Sequence, residues 1–408
     1  MITDGHGNVG FPGFGGISAA QSLAYVAAMQ EHGVPVTVAY ISDAHDDHKT
    51  GLASGPGQTD YVAQLAAYNR AWGGFFTRLA DDGITPANTL FVITADEGDH
   101  FAGGPPSPAN CDGVNVACTY AKIGEIDANM QSLLEALDPG LTTQGGLPID
   151  FDVHFDMAPA FYVFGNPPAG DPLAREFERT TARLTAVSPI TGNTDQLTRY
   201  LADPVELKLL HMVTGDPLRT PTFVMFGNPD YFFQLSGSLH ENPAFAWNHG
   251  GVDPKINTTW LGLVGPSVRQ AGIDDETWSD HTDIRPTMLV LAGLTDDYSH
   301  DGRALVEDLG FGALPPALRS SDYAFRLLAA SYKQINAPVA SLGLMTLTKS
   351  TTALEGDDAT YGRIEGKISA LTTKRDALAT EMIQTLEGAA FHGQPVDFPT
   401  ALSLSPGN

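Results

Sequence analysis

Residues 89–100, with the sequence TLFVITADEGDH, contain the pattern on which the predicted fold depends. Residues 89–94 form an apolar, β-branched run whose length and flanks are typical of a strand buried in a parallel sheet. Carboxylates and a histidine follow this run directly. Because open α/β sheets place their ligand sites beyond the ends of such strands, this turn is a candidate site.

The residues before this strand alternate between two kinds of predicted element. Residues 18–32 and 60–79 place apolar side chains at helical spacing, whereas residues 34–42 have the composition of a buried strand. The order is therefore helix, strand, helix, strand. This order predicts an α/β domain with a layered, mostly parallel sheet.

The pattern weakens after residue 102 and returns near residue 246, which predicts four parts of the chain. We assign a first part of the α/β domain to residues 1–102, an insertion or cap to 103–245, a second part of that domain to 246–314 and a helical region to 320–408. The helical region carries a short apolar stripe at spacings of three, four and seven residues. This stripe favours a helical hairpin over a dimerising coiled coil.

Composition limits the classes of partner. The chain of 408 residues holds 48 acidic residues against 22 Lys and Arg, a net charge of -26, which opposes binding to nucleic acid or an anionic bilayer. The same surplus suits a protein that holds divalent cations. The sequence also lacks an apolar run of about 18 residues, so no integral membrane segment is predicted, and it gives no indication of the oligomeric state.

The only two cysteines, Cys111 and Cys118, lie close together in a stretch rich in Gly, Pro and Asn. A short disulfide is the favoured interpretation, since a zinc site there would lack thiolate partners. A disulfide predicts an oxidising compartment, so the full-length protein is expected to be secreted, periplasmic or on the cell surface. No signal peptide is visible after Met1.

Three clusters of potential metal ligands follow or lie near predicted strands. Residues 43–48, DAHDDH, contain five oxygen or imidazole ligands in six positions. Residues 96–100, DEGDH, place adjacent carboxylates at a strand end, where their repulsion is costly unless a cation or hydrogen bonds offset it. The third cluster, His249 with its following glycines, indicates little alone. Histidine and aspartate together are the usual ligands of zinc and similar cations.

The three clusters and the later stretch DHTDIRPT at residues 280–287 together resemble the alkaline phosphatase superfamily. Residues 94–101, TADEGDHF, followed by two prolines, look most like the bacterial phospholipase C and acid phosphatase branch. Residues 301–305, DGRAL, are similar to the closing segment of the superfamily. The resemblance covers about residues 35–105 and 245–310. It implies a three-layer sandwich with a mostly parallel sheet and metal-dependent hydrolysis of small phosphoester substrates.

Carried over residue by residue, the resemblance implies two divalent cations. Asp43 and His48 would hold one cation together with His249, and Asp96 and Glu97 would hold the other. Zinc is the expected metal, with manganese, calcium and iron as alternatives. The substrate, whether a monoester, diester, phospholipid or sulfate, is not indicated by any motif.

The chain departs from the family pattern at both acidic turns, which leaves alternative ligands. Asp43 and His48 are five residues apart rather than the usual four, so His45 or Asp47 is an alternative partner. The second turn has Glu where most branches have His, which leaves Asp99 and His100 as alternatives.

The catalytic nucleophile stays unassigned. In the superfamily it is a Thr, Ser or Cys at the start of a helix after an earlier strand, and residues 1–42 show no such arrangement. We therefore expect the nucleophile upstream of Met1 and weak or no hydrolysis by this fragment. The alternative function is a non-catalytic secreted or cell-surface binding protein that keeps the hydrolase fold.

Overall fold

The computed structural model describes residues 18–42, 44–47, 51–137, 149–295 and 297–405. The chain divides into two units, each built from three segments. Unit 1 comprises Met1–Phe164, Arg183–Arg199 and Met225–Gly262. Unit 2 comprises Gly165–Ala182, Tyr200–Val224 and Leu263–Asn408.

The described residues contain helices of very different length. In chain order they are α1 (Ala19–Glu31), α2 (Thr59–Asp81), α3 (Met130–Leu137), α4 (Pro172–Ala182), α5 (Pro204–Leu209), α6 (Pro254–Asn257), α7 (Ile284–Ala292), α8 (Pro316–Ser320), α9 (Asp322–Asn336), α10 (Ser341–Leu354), α11 (Asp358–Phe391) and α12 (Phe398–Leu404). No described helix combines the length and the hydropathy needed to span a bilayer, in agreement with the sequence.

The strands of the described residues are all short. They are β1 (Asp46–Asp47), β2 (Leu52–Ala53), β3 (Phe91–Thr94), β4 (His100–Phe101), β5 (Pro106–Ser107), β6 (Thr119–Tyr120), β7 (Glu125–Asn129), β8 (Phe151–His154), β9 (Ala160–Val163), β10 (Thr185–Val187), β11 (Thr194–Gln196), β12 (Thr198–Ala202), β13 (Phe223–Gly227), β14 (Tyr231–Gln234), β15 (His240–Asn242), β16 (Trp247–Asn248) and β17 (Leu261–Val264).

The predicted three-layer sandwich with a mostly parallel sheet is wrong. The protein is mixed α/β with 43% helix, and its sheets are short, of two to four strands, and mainly antiparallel. In unit 1, β8 and β9 form an antiparallel pair, and β7 pairs in parallel with β14 but antiparallel with β15. A parallel sheet needs long crossovers between neighbouring strands, whereas a short turn is enough to join antiparallel strands such as β8 and β9.

Residues 34–42 account for much of this error. Their β-branched composition predicts a buried strand, but no strand is assigned there in the described part of the chain. Val36 is 78% exposed and Val38 is 89% exposed, so the segment is not a sheet interior. Pro35 lacks a backbone N–H and cannot donate a ladder hydrogen bond. The composition of residues 34–42 therefore predicted a buried strand that the structure does not contain.

The two predicted N-terminal helices are confirmed and share a core. The Ser18 side chain accepts a hydrogen bond from the backbone N–H of Gln21, and the Gln21 side chain accepts one from the backbone N–H of Ser18, which forms a capping box at the start of α1. The core between α1, α2 and β3 is made of Leu23, Val26, Ala27, Phe75, Leu79 and Phe91. Burial of this apolar surface fixes the start of the turn that follows β3.

Unit 2 has its own core, built mainly from helices. Its buried residues come from α7, from the segment up to Leu314 and from α8, α9, α11 and α12. The long helix α11 contributes Met382 and Leu386, which are 0% and 1% exposed. The C-terminal helices and the segment before them thus bury one continuous apolar surface.

Replacement of Leu386 by alanine should destabilise unit 2 by about 2–5 kcal/mol, because it leaves a cavity among close-packed side chains. Leu371 lies on the same helix and is 44% exposed, so Leu371→Ala is the matched control. Its expected effect is below about 0.5 kcal/mol. Urea unfolding followed by circular dichroism measures both. Equal effects of the two substitutions would contradict the packing described here.

Candidate functional site

A short antiparallel strand pair in unit 1 brings two of the sequence clusters together. β16 pairs with β4 so that Asn248 lies opposite His100. His249 follows Asn248, and Asp99 precedes His100, so continuation of the same register places these two residues side by side. The buried Asn248 side chain donates hydrogen bonds to two backbone carbonyl groups and fixes the position of β16.

The His249 ring lies between two carboxylates of the second cluster. Its Nδ1 atom is 3.3 Å from Oδ1 of Asp99, and its Nε2 atom is 3.3 Å from Oε1 of Glu97. The His249 side chain is 50% exposed and that of Glu97 is 42% exposed. The ring is therefore oriented from both sides while one face of the group stays open to solvent.

His45 brings the first cluster to the same place. Its Nε2 atom is 3.7 Å from Oδ2 of Asp99, so Asp99 contacts an imidazole with each carboxylate oxygen. The His45 ring stacks on Trp247, with the ring centres 5.2 Å apart, and Trp247 also stacks on Tyr61. The indole N–H of Trp247 donates to the Ser54 carbonyl at 2.7 Å. A fixed aromatic surface thus positions His45.

Two glycines allow the close approach of these turns. The Gly98 N–H donates to the Ile256 carbonyl of α6, and a Cβ at Gly98 would lie only 2.5 Å from that same oxygen. Gly250 has a φ of +88°, in the left-handed region that favours glycine, and a Cβ there would clash with the Asp156 carboxylate. The backbone at both positions therefore requires the absence of a side chain.

The carboxylates change the protonation of the site. The hydrogen bond to Asp99, together with the nearby charges of Glu97 and Asp156, raises the pKa of His249 to about 9 against the opposing effect of burial. Burial alone would raise the pKa of Asp99, but the hydrogen bonds of His249 and His45 outweigh it and leave that pKa below its usual value. In the absence of a bound cation, His249 is thus a cationic group held by anions.

A buried acidic residue of unit 1, Glu125, interacts electrostatically with His249. The sequence did not indicate this residue. Glu125 is 6% exposed, and burial followed by repulsion from Asp127 and Asp156 raises its pKa to about 7, although His249 acts in the opposite direction. Glu125 and Asp127 alternate on β7, so they share one face of the strand. In the sequence these two residues appear only as the acidic positions of the alternating stretch EIDAN. Such a stretch is also typical of an ordinary edge strand, so it does not indicate a functional residue.

The remaining predicted ligands have different positions. Asp43 and His48 lie outside the described residues, and so does the side chain of Asp47. Asp96 is exposed and forms no ion pair with any described residue, although it precedes Glu97 directly. His100 contacts Asp230 instead, with its Nε2 atom 2.7 Å from Oδ1. The structure therefore joins His45, Glu97, Asp99 and His249, and separates His100 from them.

Cys111 and Cys118 form a disulfide, with their Cα atoms 5.2 Å apart. It closes a loop in which the Asp112 carboxylate accepts hydrogen bonds from the backbone N–H groups of residues 114–116. The Cys118 N–H donates to the Gly57 carbonyl, so the loop packs against the segment that begins α2. No ligand function needs to be assigned to either cysteine.

The segment at residues 280–287 has a structural role in unit 2. Asp280 and Asp283 form a capping box, and both carboxylates contact the buried ammonium group of Lys333, at 3.0 and 2.6 Å. Asp283 is 0% exposed and Lys333 has only 2% of its side chain exposed. Removal of either partner would leave an uncompensated buried charge, so this pair holds α7 and α9 together.

Within the described residues, no group of three or more His, Cys, Asp or Glu side chains is arranged to hold a metal ion. That part of the chain omits Asp43 and His48. Comparison with models of known protein families gave no match, and neither did a search of curated proteins.

The pKa of His249 in metal-free protein provides a direct test of the geometry. Asp99→Asn should bring this pKa down from about 9 toward its ordinary value, because the hydrogen bond to Asp99 is the largest cause of the shift. Glu97→Gln should lower it less. Chemical shifts of the His249 ring, followed by NMR across pH, give both values. An unchanged His249 pKa in Asp99→Asn would contradict the arrangement.

Proposed function

We propose that unit 1 carries a divalent-cation site for phosphoester hydrolysis, in which His249 and Glu97 are the described ligands and Asp99 and His45 lie around them. The observation that carries the proposal is the contact of His249 with Asp99 in the turn after β3, although 150 residues separate the two in sequence. Two half-exposed ligand groups on one open surface suit a site that admits a small substrate. The order of clusters that resembles the alkaline phosphatase superfamily supports the choice of reaction.

The geometry of Glu97 and His249 is compatible with one shared cation. Ligand atoms bound to a tetrahedral zinc at about 2.0–2.2 Å lie roughly 3.3–3.6 Å from each other. The observed separation of His249 Nε2 and Glu97 Oε1 is 3.3 Å. Nitrogen and oxygen donors of this kind suit zinc and manganese.

Asp99 suits the role of a positioning residue. Metal-binding histidines usually donate their second ring N–H to a carboxylate, which fixes the tautomer and the ring orientation. Asp99 lies against Nδ1 of His249 and so leaves Nε2 to face Glu97. The same carboxylate faces Nε2 of His45. One side chain therefore aligns two imidazoles.

A divalent cation held by His249 and Glu97 would supply Lewis-acid chemistry for a phosphoryl oxygen. The protein residues must then manage protons and charge. Glu125 has a pKa of about 7 beside His249, so it exchanges protons in the pH range where such hydrolysis operates. The net charge of -26 opposes an anionic substrate, and local positive charge at the site reverses that opposition.

Metal binding and hydrolysis should be lost together when His249 is replaced. Isothermal titration of the purified chain with Zn²⁺ or Mn²⁺ should show binding that Asp99→Asn weakens about 10–100-fold, as expected for loss of a positioning carboxylate. His249→Ala should weaken it further. Hydrolysis of bis(p-nitrophenyl) phosphate and p-nitrophenyl phosphate is expected to be weak, because no nucleophile is assigned, but it should require the added cation and should fall in the same order.

His240→Ala is the matched control, because His240 is also a histidine of unit 1 that faces a carboxylate. Its Nε2 atom is 3.6 Å from Asp127, and its side chain is 51% exposed. This variant should bind the cation as the unmodified protein does. Cation binding that is absent, or that His249→Ala leaves intact, would overturn the proposed site.

A further inference from the structure

Unit 2 contains a buried cluster in which one guanidinium faces several carboxyl groups. Arg175 of α4 contacts Glu178 at 2.5 Å, Asp203 at 3.3 Å and Glu365 of α11 at 3.2 Å. Glu206 of α5 reaches the backbone N–H of Asp203 at 3.3 Å. Glu178, Asp203 and Glu206 are all 0% exposed. The cluster therefore joins three helices, and of its carboxyl groups only Glu365, with 16% of its side chain exposed, is reached by water.

The positive charges around this cluster do not balance the carboxyl groups. On α4 the other cation is Arg179, which is paired with Asp358. On α11 the Tyr361 ring lies under the guanidinium of Arg175, at 4.1 Å, and adds no positive charge. Four ionised carboxylates against Arg175 would leave a net charge of about minus three in a largely buried space, and burial of unpaired charge is very costly.

The hydrogen bonding shows the same excess of acceptors. Oε1 of Glu178 and Oε1 of Glu206 are buried and have no hydrogen-bond partner. An ionised carboxylate that lacks partners is the more costly form of such a group. A bound proton removes the charge and thus most of that cost.

Contacts between the acids themselves require shared protons. Against the opposing effect of burial, side-chain hydrogen bonding with Glu365 and with Glu206 lowers the pKa of Asp203. Two ionised carboxylates possess no hydrogen to donate, so each of these contacts needs a protonated partner. Asp203 also accepts from the N–H of Val205 as the N-cap of α5 and lies against Arg175. Asp203 is therefore the anion, and the two glutamates are the donors.

We propose that this cluster is a proton-dependent clasp, in which protons held on Glu178, Glu206 and Glu365 around the Asp203 anion keep α4, α5 and α11 together and are released when unit 2 opens. The clasp is independent of the cation site proposed for unit 1. It makes the cohesion of these helices a function of pH.

The direction of the effect follows from the titration of the glutamates. Burial raises the pKa of Glu365 to about 8 and raises those of Glu178 and Glu206 well above the usual value of 4.5, whereas the contacts of Asp203 keep its pKa low. Groups with a raised pKa in the folded state stabilise it fully at acid pH and lose that effect as pH rises. The clasp therefore weakens between about pH 4.5 and pH 8.

Hydrogen exchange of the full chain, measured by mass spectrometry on peptides from α4, α5 and α11, tests the proposal. Exchange rates are divided by the intrinsic chemical rate at each pH to give an opening constant. This constant should rise about tenfold per pH unit for each proton released, between pH 6 and pH 8. Peptides from α1 in unit 1 provide the internal reference and should not show this rise.

Glu178→Gln and Glu206→Gln mimic the protonated side chains. Each variant should release up to one proton fewer on opening, so its opening constant should depend less steeply on pH. At pH 8 the amides of α4, α5 and α11 should exchange more slowly in each variant than in the unmodified protein. Glu176→Gln is the control, because Glu176 lies on α4 but is exposed. It should leave the pH dependence unchanged.

Infrared spectroscopy keeps the proposal testable if a glutamine variant does not fold. A chain that carries Glu125→Gln, which removes the unit 1 carboxyl group whose pKa is about 7, should show at pH 7 the carbonyl stretch of protonated carboxylic acids, and this band should disappear on unfolding. Absence of that band, or an opening constant in α4, α5 and α11 that is independent of pH, would overturn the proposal.

Discussion

The candidate site depends on the antiparallel pairing of β4 with β16. Each strand contains only two residues, but their register decides which side chains leave the pair at its end. His249 follows β16 and Asp99 precedes β4, so these two residues lie opposite each other, one position beyond the last strand pair. Their side chains form an ion pair there. Gly98 and Gly250 make the approach sterically feasible, and Trp247 on β16 supports His45 through ring stacking. The same pair therefore orients all the described members of the site.

The structure brings His45, Glu97 and His249, one from each of the three clusters in the sequence, together around Asp99, which the sequence indicated only as an alternative ligand. Strand-end carboxylates and a distant His-Gly were sufficient to expect convergence of Glu97 and His249. The central role of Asp99 was not predictable, because it follows from the register of a two-residue strand, and such a strand has no periodicity to read. Glu125 was missed because its altered protonation comes from burial, which the alternation on β7 does not specify. The assignment of all these residues to metal binding stays a prediction.

The sequence predicted an element where one apolar helix face or one apolar run is enough to specify it, as in α1, α2 and β3. It did not predict the sheets, because their arrangement depends on which strands pair with each other. The apolar residues 34–42 have the composition of a central strand, yet Val36 and Val38 are exposed. Strand composition reports a preference for extended backbone, whereas the choice between parallel and antiparallel neighbours depends on contacts that are distant in sequence. The alternation of helices and strands and the family resemblance both favoured a mostly parallel sheet, and the structure contradicts it.

The two units solve one electrostatic problem in different ways. A chain with 48 acidic residues must place some carboxylates close together, and each such group needs a positive charge, a proton or water. In unit 1 the group is half-exposed, and a protonated His249 lies between Asp99 and Glu97, so a cation of another kind can take its place. In unit 2 three of the four carboxyl groups are fully buried, and Arg175 alone cannot balance them. Solvent exposure thus determines how the negative charge is compensated. A carboxylate group in contact with water can exchange its cation with the solvent, whereas a buried group keeps its protons for as long as the helices around it stay packed.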